Sequence, residues 1–196
     1  MKIRTRPNHL DCVMPAAGLS SRMGRWKLML PYQNKTVLDV SIENALSFCS
    51  RVILVVGYRS DELVKKYQSC KGVKVVVNPH FKLGMFGSIQ QGVQWVESKH
   101  FFICHADMPC ISSNIFYQTW VNRGEYTVFP GTLTKPGHPV LLPSTIKQNI
   151  IDADINQSMK AIIYRYSVKY LNLGSDSIYF DVDTPEAYKQ LCEQEH

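Results

Sequence analysis

A run of small residues followed by two cations makes the first chemical statement of this sequence. Ala16-Ala17-Gly18-Leu19-Ser20-Ser21-Arg22-Met23-Gly24 leads directly into Arg25-Trp26-Lys27. Small residues let backbone N–H groups approach an anion closely, and Arg22 and Lys27 can then meet its charge. That is the chemistry of gripping a triphosphate. The loop is not a Walker A loop. Five residues separate its glycines, and Leu28, not Ser or Thr, follows Lys27. It is not a dinucleotide fingerprint either, because no glycine stands two places after Gly18. From composition alone, a phosphate loop of another kind and a plain turn are equally open.

Three carboxylates could serve such a loop. Asp107 comes just after the apolar run 101–104, and a carboxylate at a strand end facing a phosphate loop is a natural Mg²⁺ ligand. Read alone, it could also cap a turn or helix. Asp181 and Asp183 stand two apart near the C-terminus, and only one of them is expected to face the site. His105 is expected to be a satisfied, partly buried histidine. Trp26 is expected to pack as an ordinary tryptophan. For Met85, packing and ligand contact are equally open.

The elements that must position these residues alternate. Apolar runs at 10–14, 51–56, 73–77 and 101–104 read as strands, and shorter ones follow at 126–129, 140–142, 168–171 and 178–182. The β-branched run Arg51 to Val56 has the character of a strand buried on both faces. Helices are expected from the Thr36 cap to about 48, at 61–68 behind a Ser60 cap, from about 83 to 97, and from Ser112 or Ser113 to 122. More are expected at 144–151 and 157–166, and a last one opens at Thr184-Pro185-Glu186. Strand–helix alternation implies an α/β fold with a mainly parallel sheet, in which ligands bind beyond the carboxyl ends of the strands. The loop after the first strand, Asp107 and Asp181 all fall at such ends.

Composition narrows the class. At 196 residues, with 45% hydrophobic and 19% charged content, the chain reads as one domain, 1–196, with a sizeable core. No apolar run suits a membrane span, and the N-terminus does not read as a secretory signal. The net charge of +6 suits an anionic partner. No basic run or basic helix face favours nucleic acid, and a phosphorylated small molecule fits at least as well. Six scattered cysteines without a C-x-x-C pair read as buried free thiols in a cytoplasmic protein.

Five motifs in order carry a resemblance: A-A-G-L-S-S-R-M-G-x-x-K (16–27), N-P-x-x-x-x-G-M-x-x-S-I (78–89), D-M-P (107–109), P-G-H-P (136–139) and D-V-D-T-P-E (181–186). Together they resemble the molybdenum cofactor cytidylyltransferase family, within the MobA-like NTP transferases, over about residues 11–188. The resemblance implies a three-layer Rossmann-like fold whose N-terminal part binds nucleotide and whose C-terminal part binds acceptor. It implies backbone contacts from Ala16, Ala17 and Gly18 to base and phosphates, with Arg22 and Lys27 on the triphosphate of CTP. Asp107 would bind Mg²⁺, with Asp181 preferred to Asp183 as second ligand. Gly84 and Ser88 would lie near nucleotide or acceptor, and His138 would face the pterin.

The implied reaction moves CMP from CTP to the phosphate of molybdenum-bearing molybdopterin and releases pyrophosphate. The attacking phosphate is already anionic, so no general base is required. A molybdenum hydroxylase apo-enzyme is an implied partner for the product. Two alternatives stay open: another phosphorylated acceptor, of guanylyl or sugar-phosphate type, and a module that delivers finished cofactor. Sister guanylyltransferases carry A-G-G where this chain has Ala16-Ala17-Gly18. One departure from the family pattern is Met14-Pro15, where Pro removes an N–H at the loop entrance.

Overall fold

The computed structural model describes residues 7–193. In chain order the elements begin with β1 (Asp11–Ala16), short turns of 3-10 helix at Ser21–Met23 and Lys27–Met29, and a small hairpin, β2 (Pro31–Tyr32) and β3 (Lys35–Thr36). Then come α1 (Val37–Leu46), β4 (Arg51–Val56), α2 (Ser60–Tyr67), β5 (Val73–Val77), α3 (Met85–Val93), β6 (His100–Ile103) and α4 (Ser113–Val121). The rest is β7 (Thr127–Phe129), β8 (Val140–Pro143), α5 (Lys147–Ile151), α6 (Met159–Ile163), β9 (Val168–Tyr170) and α7 (Pro185–Glu193).

The main sheet has seven strands in the order β5-β4-β1-β6-β8-β7-β9. β5, β4, β1 and β6 run parallel, while β8 is antiparallel to both β6 and β7. Side chains alternate across each central strand and so feed two cores. Met14, Leu54 and Phe102 pack with Leu38 and Ile42 of α1, Leu63 of α2 and Phe116 of α4. Val13, Ile53, Val55 and Phe101 pack on the other face with Ile89 and Val93 of α3, Ile150 of α5 and Ile162 of α6. Helices on both faces of a mostly parallel sheet make a three-layer α/β architecture. A third cluster joins Leu191 of α7 and Val182 to Tyr32, Val37 and Met23. None of the described helices is long and apolar enough to cross a membrane.

Local signals set the element ends. Thr36 accepts a hydrogen bond from the Asp39 N–H at 3.2 Å, and the Thr36 N–H donates to Asp39 at 3.0 Å, closing a capping box. α2 starts one residue earlier than its sequence suggests: Arg59, at φ 50°, is its N-cap, and Ser60 is its first residue. The helix expected to reach 97 stops at Val93. At Gly92, α3 lies so close to the sheet that a methyl would stand 2.5 Å from Val13 and 2.8 Å from Val55.

Two expectations need correction. Residues 178–182 are not a strand: a turn of 3-10 helix covers Asp176–Tyr179, and no ladder follows it. The segment crosses the end of the sheet instead of lying along an edge. The His138 N–H donates to Ile178 O at 2.8 Å, and the Val182 N–H donates to Asp107 O at 2.9 Å. The cysteines are all free, but only Cys12, Cys49 and Cys104 are buried; Cys70 is exposed, and Cys110 and Cys192 are half-buried.

Candidate active site

The carboxyl ends of β1 and β6 open a gap. β4 pairs with β1 along all of Asp11–Ala16, but β6 accompanies it only as far as Val13. Val13 O accepts from Cys104 N–H, so the odd residues of β1 turn their peptide groups toward β6. Pro15 is the next such residue. Its missing N–H falls where β6 has already departed, so no ladder bond is lost. The proline therefore sits inside the strand, not at a loop entrance.

The loop beyond β1 is pinned from both ends. The Tyr58 N–H donates to Ala17 O at 3.3 Å. Ser20 and Gly24 both take left-handed backbone, and the Lys27 N–H donates to the Ser20 hydroxyl at 3.2 Å. Trp26 packs against the core while the Arg59 guanidinium covers its ring at 4.4 Å. Its environment is that of a packing tryptophan.

Lys27 is the centre of the charged cluster. Its ammonium donates to both Asp107 and Asp183, and Arg22 donates to Asp183 as well. Burial works against the Lys27 charge, but Asp107 and then Asp183 more than offset this and raise its pKa above the ordinary lysine value. Burial likewise opposes the Asp183 charge, and Lys27 and Arg22 overcome it, so Asp183 lies below the usual carboxylate range. Asp181 differs. Burial, then repulsion from Asp183 and Asp107, raises its carboxyl, and it makes no ion pair among the described residues. Asp107 keeps one oxygen, Oδ1, buried without a hydrogen-bond partner. Asp181 and Asp183 both border this basin, against the expectation that only one would. Positions i and i+2 of an extended chain share a side.

Three depressions meet at Met85 along this edge of the sheet. The polar basin holds Arg22, Lys27, Asp107, Asp181 and Asp183. A slot adjoins it at Gly18, walled by Pro15, Ala17, Phe81, Gly84 and Ser88. Gly84, at φ 113°, takes a backbone few other residues adopt and precedes α3. The buried Ser88 hydroxyl accepts from Asn78 at 3.0 Å, and Asn78 Oδ1 accepts from the His80 N–H at 3.0 Å. Ala16 is not on these walls; it is buried in the core below them.

Beside the polar basin lies an apolar one, with Ile103, Phe129, His138, Val140, Ile163 and Tyr164 on its walls. His138 and His105 lie against each other, ring centroids 4.0 Å apart and tilted by 39°. Burial lowers His105 to about 4, helped by the nearby Lys27 charge. Burial and then His105 lower His138 to about 3. Both rings are therefore neutral at physiological pH.

Two residues that sequence reasoning undervalued stand between the basins. His105 borders both the polar and the apolar basin, and Met85, 54% exposed, borders all three depressions. The signal for His105 was its place, two residues before Asp107 at a strand end. Phe81 was missed altogether. It packs beside Gly57, and only the absence of a side chain there admits it: a methyl on Gly57 would stand 2.4 Å from Phe81 Cβ.

The residues fit a divalent ion bound with a nucleotide. Among the described residues no three histidine, cysteine or carboxylate side chains converge closely enough to hold a metal alone. Mg²⁺ with a nucleotide needs only one or two carboxylates, the rest coming from phosphate oxygens and water. Asp107 and Asp183 already converge on one cation, the Lys27 ammonium, and Asp107 keeps an unpartnered oxygen beside it.

The chain is similar to known proteins over nearly its whole length. The MobA-like NTP transferase domain matches residues 12–170. The molybdenum cofactor cytidylyltransferase of Escherichia coli (strain K12) is 39% identical over 182 residues, covering 91% of this chain and 93% of that protein. A probable molybdenum cofactor guanylyltransferase of Bacillus anthracis is 23% identical over 193 residues, covering 91% and 93%. A solved nucleotidyl transferase from Methanothermobacter thermautotroptrophicus superposes with a TM-score of 0.82 over 96% of this chain and 98% of that one, at 18% identity.

Proposed function

The chain belongs to the MobA-like NTP transferase family and is a nucleotidyltransferase, and from that premise we propose that it transfers CMP from CTP to the phosphate of molybdenum-bearing molybdopterin. The observation that carries this reading is the position of the polar basin. It shares Gly18 with the slot and His105 with the apolar basin. The likeness to the Escherichia coli cytidylyltransferase supports cytosine as the base and molybdopterin as the acceptor. Ala17 lines the slot, at the position where the sister guanylyltransferases carry glycine.

In this reading one domain carries both halves of the reaction. The slot takes the base, with backbone groups of Ala17 and Gly18 and the Ser88 hydroxyl within reach. Ala16 contributes only through its backbone. Arg22 and Lys27 exchange their carboxylate partners for triphosphate oxygens and neutralise the charge that collects on the leaving pyrophosphate. Asp107, with Asp183 or Asp181, would hold Mg²⁺. Bound there, the ion supplies charge neutralisation at the phosphates. Asp183 shares its cation with Asp107 in this geometry, so it replaces Asp181 as the preferred second ligand.

An acceptor phosphate oxygen forms the new bond to the α-phosphorus. The bond from that phosphorus to the bridging oxygen breaks, and its electron pair leaves with pyrophosphate. No proton need be removed from the nucleophile, and the neutral His105 and His138 suit a site that works by positioning and charge. The test is pyrophosphate release with CTP, GTP, ATP or UTP, Mg²⁺ and molybdopterin. CTP is expected to be preferred. A preference for GTP would move the chain to the guanylyl side of the family, and pyrophosphate release without dinucleotide would sink the acceptor assignment.

A further inference from the structure

The reacting phosphorus and the attacking oxygen must meet where the polar and apolar basins join. Among the described residues, only His105 and Met85 border both. Met85 is a thioether, with no hydrogen to donate and only a weak acceptor. His105 is therefore the polar side chain at the place where the acceptor's phosphate has to sit.

His105 is also held as a positioning group should be. It lies just beyond β6, between the strand end and Asp107, and its ring rests on the ring of His138 at 4.0 Å. His138 is itself fixed: its N–H donates to Ile178 O at 2.8 Å, and its ring Nδ1 lies 3.4 Å from Ile103 O. Neither ring nitrogen of His105 is hydrogen-bonded to another of the described residues. An imidazole locked in orientation but uncommitted in its hydrogen bonds is arranged for a ligand.

We propose that His105 donates a hydrogen bond to a non-attacking oxygen of the acceptor phosphomonoester and so aims the attacking oxygen at the α-phosphorus. The inference rests on the nucleotidyl-transfer reading above. No proton changes hands at His105. The attacking oxygen arrives deprotonated, the P–O bond forms, and the pyrophosphate bond breaks with its electron pair.

The test uses the full chain with CTP, Mg²⁺ and molybdopterin. His105→Phe keeps a ring against His138 but removes the donor, and His105→Gln restores an N–H. For His105→Phe we expect kcat/KM for molybdopterin to fall about 100-fold with the KM for CTP unchanged, and His105→Gln to recover part of the loss. A second measurement does not depend on how the variants fold. The His105 ring ¹⁵N signals of the wild type, loaded with Mg²⁺ and α,β-methylene-CTP, should shift as molybdopterin is added. An active wild type with an equally active His105→Phe, or ring signals that stay still as acceptor binds, overturns the inference and leaves the cytidylyl reading intact. A wild type that makes no dinucleotide overturns that reading, and the inference with it.

Discussion

Lys27 holds apart two carboxylates that would otherwise face each other, and that sets what its loss should do. In Lys27→Met, Asp107 and Asp183 lose the cation they share. Hydrogen bonds to charged groups are worth about 1.5–3 kcal/mol, so the variant should unfold about 2 kcal/mol more easily in EDTA. Millimolar Mg²⁺ or Mn²⁺ should restore most of this, because the ion replaces the ammonium between the same oxygens. Thermal melts with and without the ion decide it. A deficit that no divalent ion repairs would show that Lys27 is structural and that the carboxylates do not form a cation site. Turnover should still fall by about 10²–10³-fold, as when one charge-stabilising donor is removed from a reacting centre.

Asp107→Asn gives the complementary result. Oδ1 has no hydrogen-bond partner among the described residues, so the fold loses little apart from the bond to Lys27. Activity should fall by about 10³-fold or more, while the melting temperature stays within a few degrees of wild type. The residue types at this site were legible in the sequence because the chemistry of phosphate binding needs them. Their pairing was not. Nothing in the spacing of residues 27, 107 and 183 shows that one ammonium bonds both carboxylates. That follows only once β1, β6 and the segment before α7 end at the same place.

At the scale of elements, the strands and helices that built the sheet were readable because each had its own signal. β4 is a run of β-branched residues, α1 has its Thr36 cap, and α7 has proline at its first turn. Residues 178–182 misled because apolar Ile178 and Val182 looked like strand residues. Their burial comes instead from crossing the ends of β6 and β8, which brings both Asp181 and Asp183 to the basin. Gly57 was unreadable for a similar reason: its need to lack a side chain arises from Phe81, which is distant in sequence.

Gly57→Ala would place a methyl 2.4 Å from Phe81 Cβ and 2.9 Å from the Ala17 methyl. Both obstacles are atoms fixed to backbone, so the slot wall itself must move. We expect a stability loss of about 1–3 kcal/mol together with a raised KM for CTP. Gly18→Ala is the control, since a methyl there meets nothing within 4 Å. It should leave the melting temperature alone and change only nucleotide affinity. Equal melting temperatures for Gly57→Ala and wild type would show that the slot wall yields freely.

The molecule as a whole is divided between its two sheet ends. The charged cluster of Lys27, Asp107 and Asp183 gathers at the carboxyl ends of β1 and β6, while an ion pair ties down the amino ends. Asp11, fully buried, accepts from Arg51 at 2.8 and 3.2 Å and from the backbone N–H groups of Glu97 and Ser98 at 2.7 and 3.0 Å. Burial pushes the Asp11 carboxyl up, but Arg51 and the two N–H groups outweigh it, and its pKa lies below the ordinary value. A carboxylate depressed in the folded state stabilises fully above the unfolded pKa of about 3.9, and the contribution is lost as pH falls through the lower, folded value. Asp11→Asn should therefore cost about 3 kcal/mol at pH 7, as when one partner of a buried pair is removed. The gap from wild type should narrow below about pH 4, where the unfolded wild-type chain takes up a proton at Asp11 while the folded protein still holds it ionised. Urea unfolding of both proteins at pH 7 and pH 3 measures it. Because Asp11 lies at the far end of the sheet from Lys27 and Asp107, kcat of the folded variant should be unchanged. A loss of kcat at a temperature where the variant is fully folded would mean that strain at one end of β1 reaches the loop at the other.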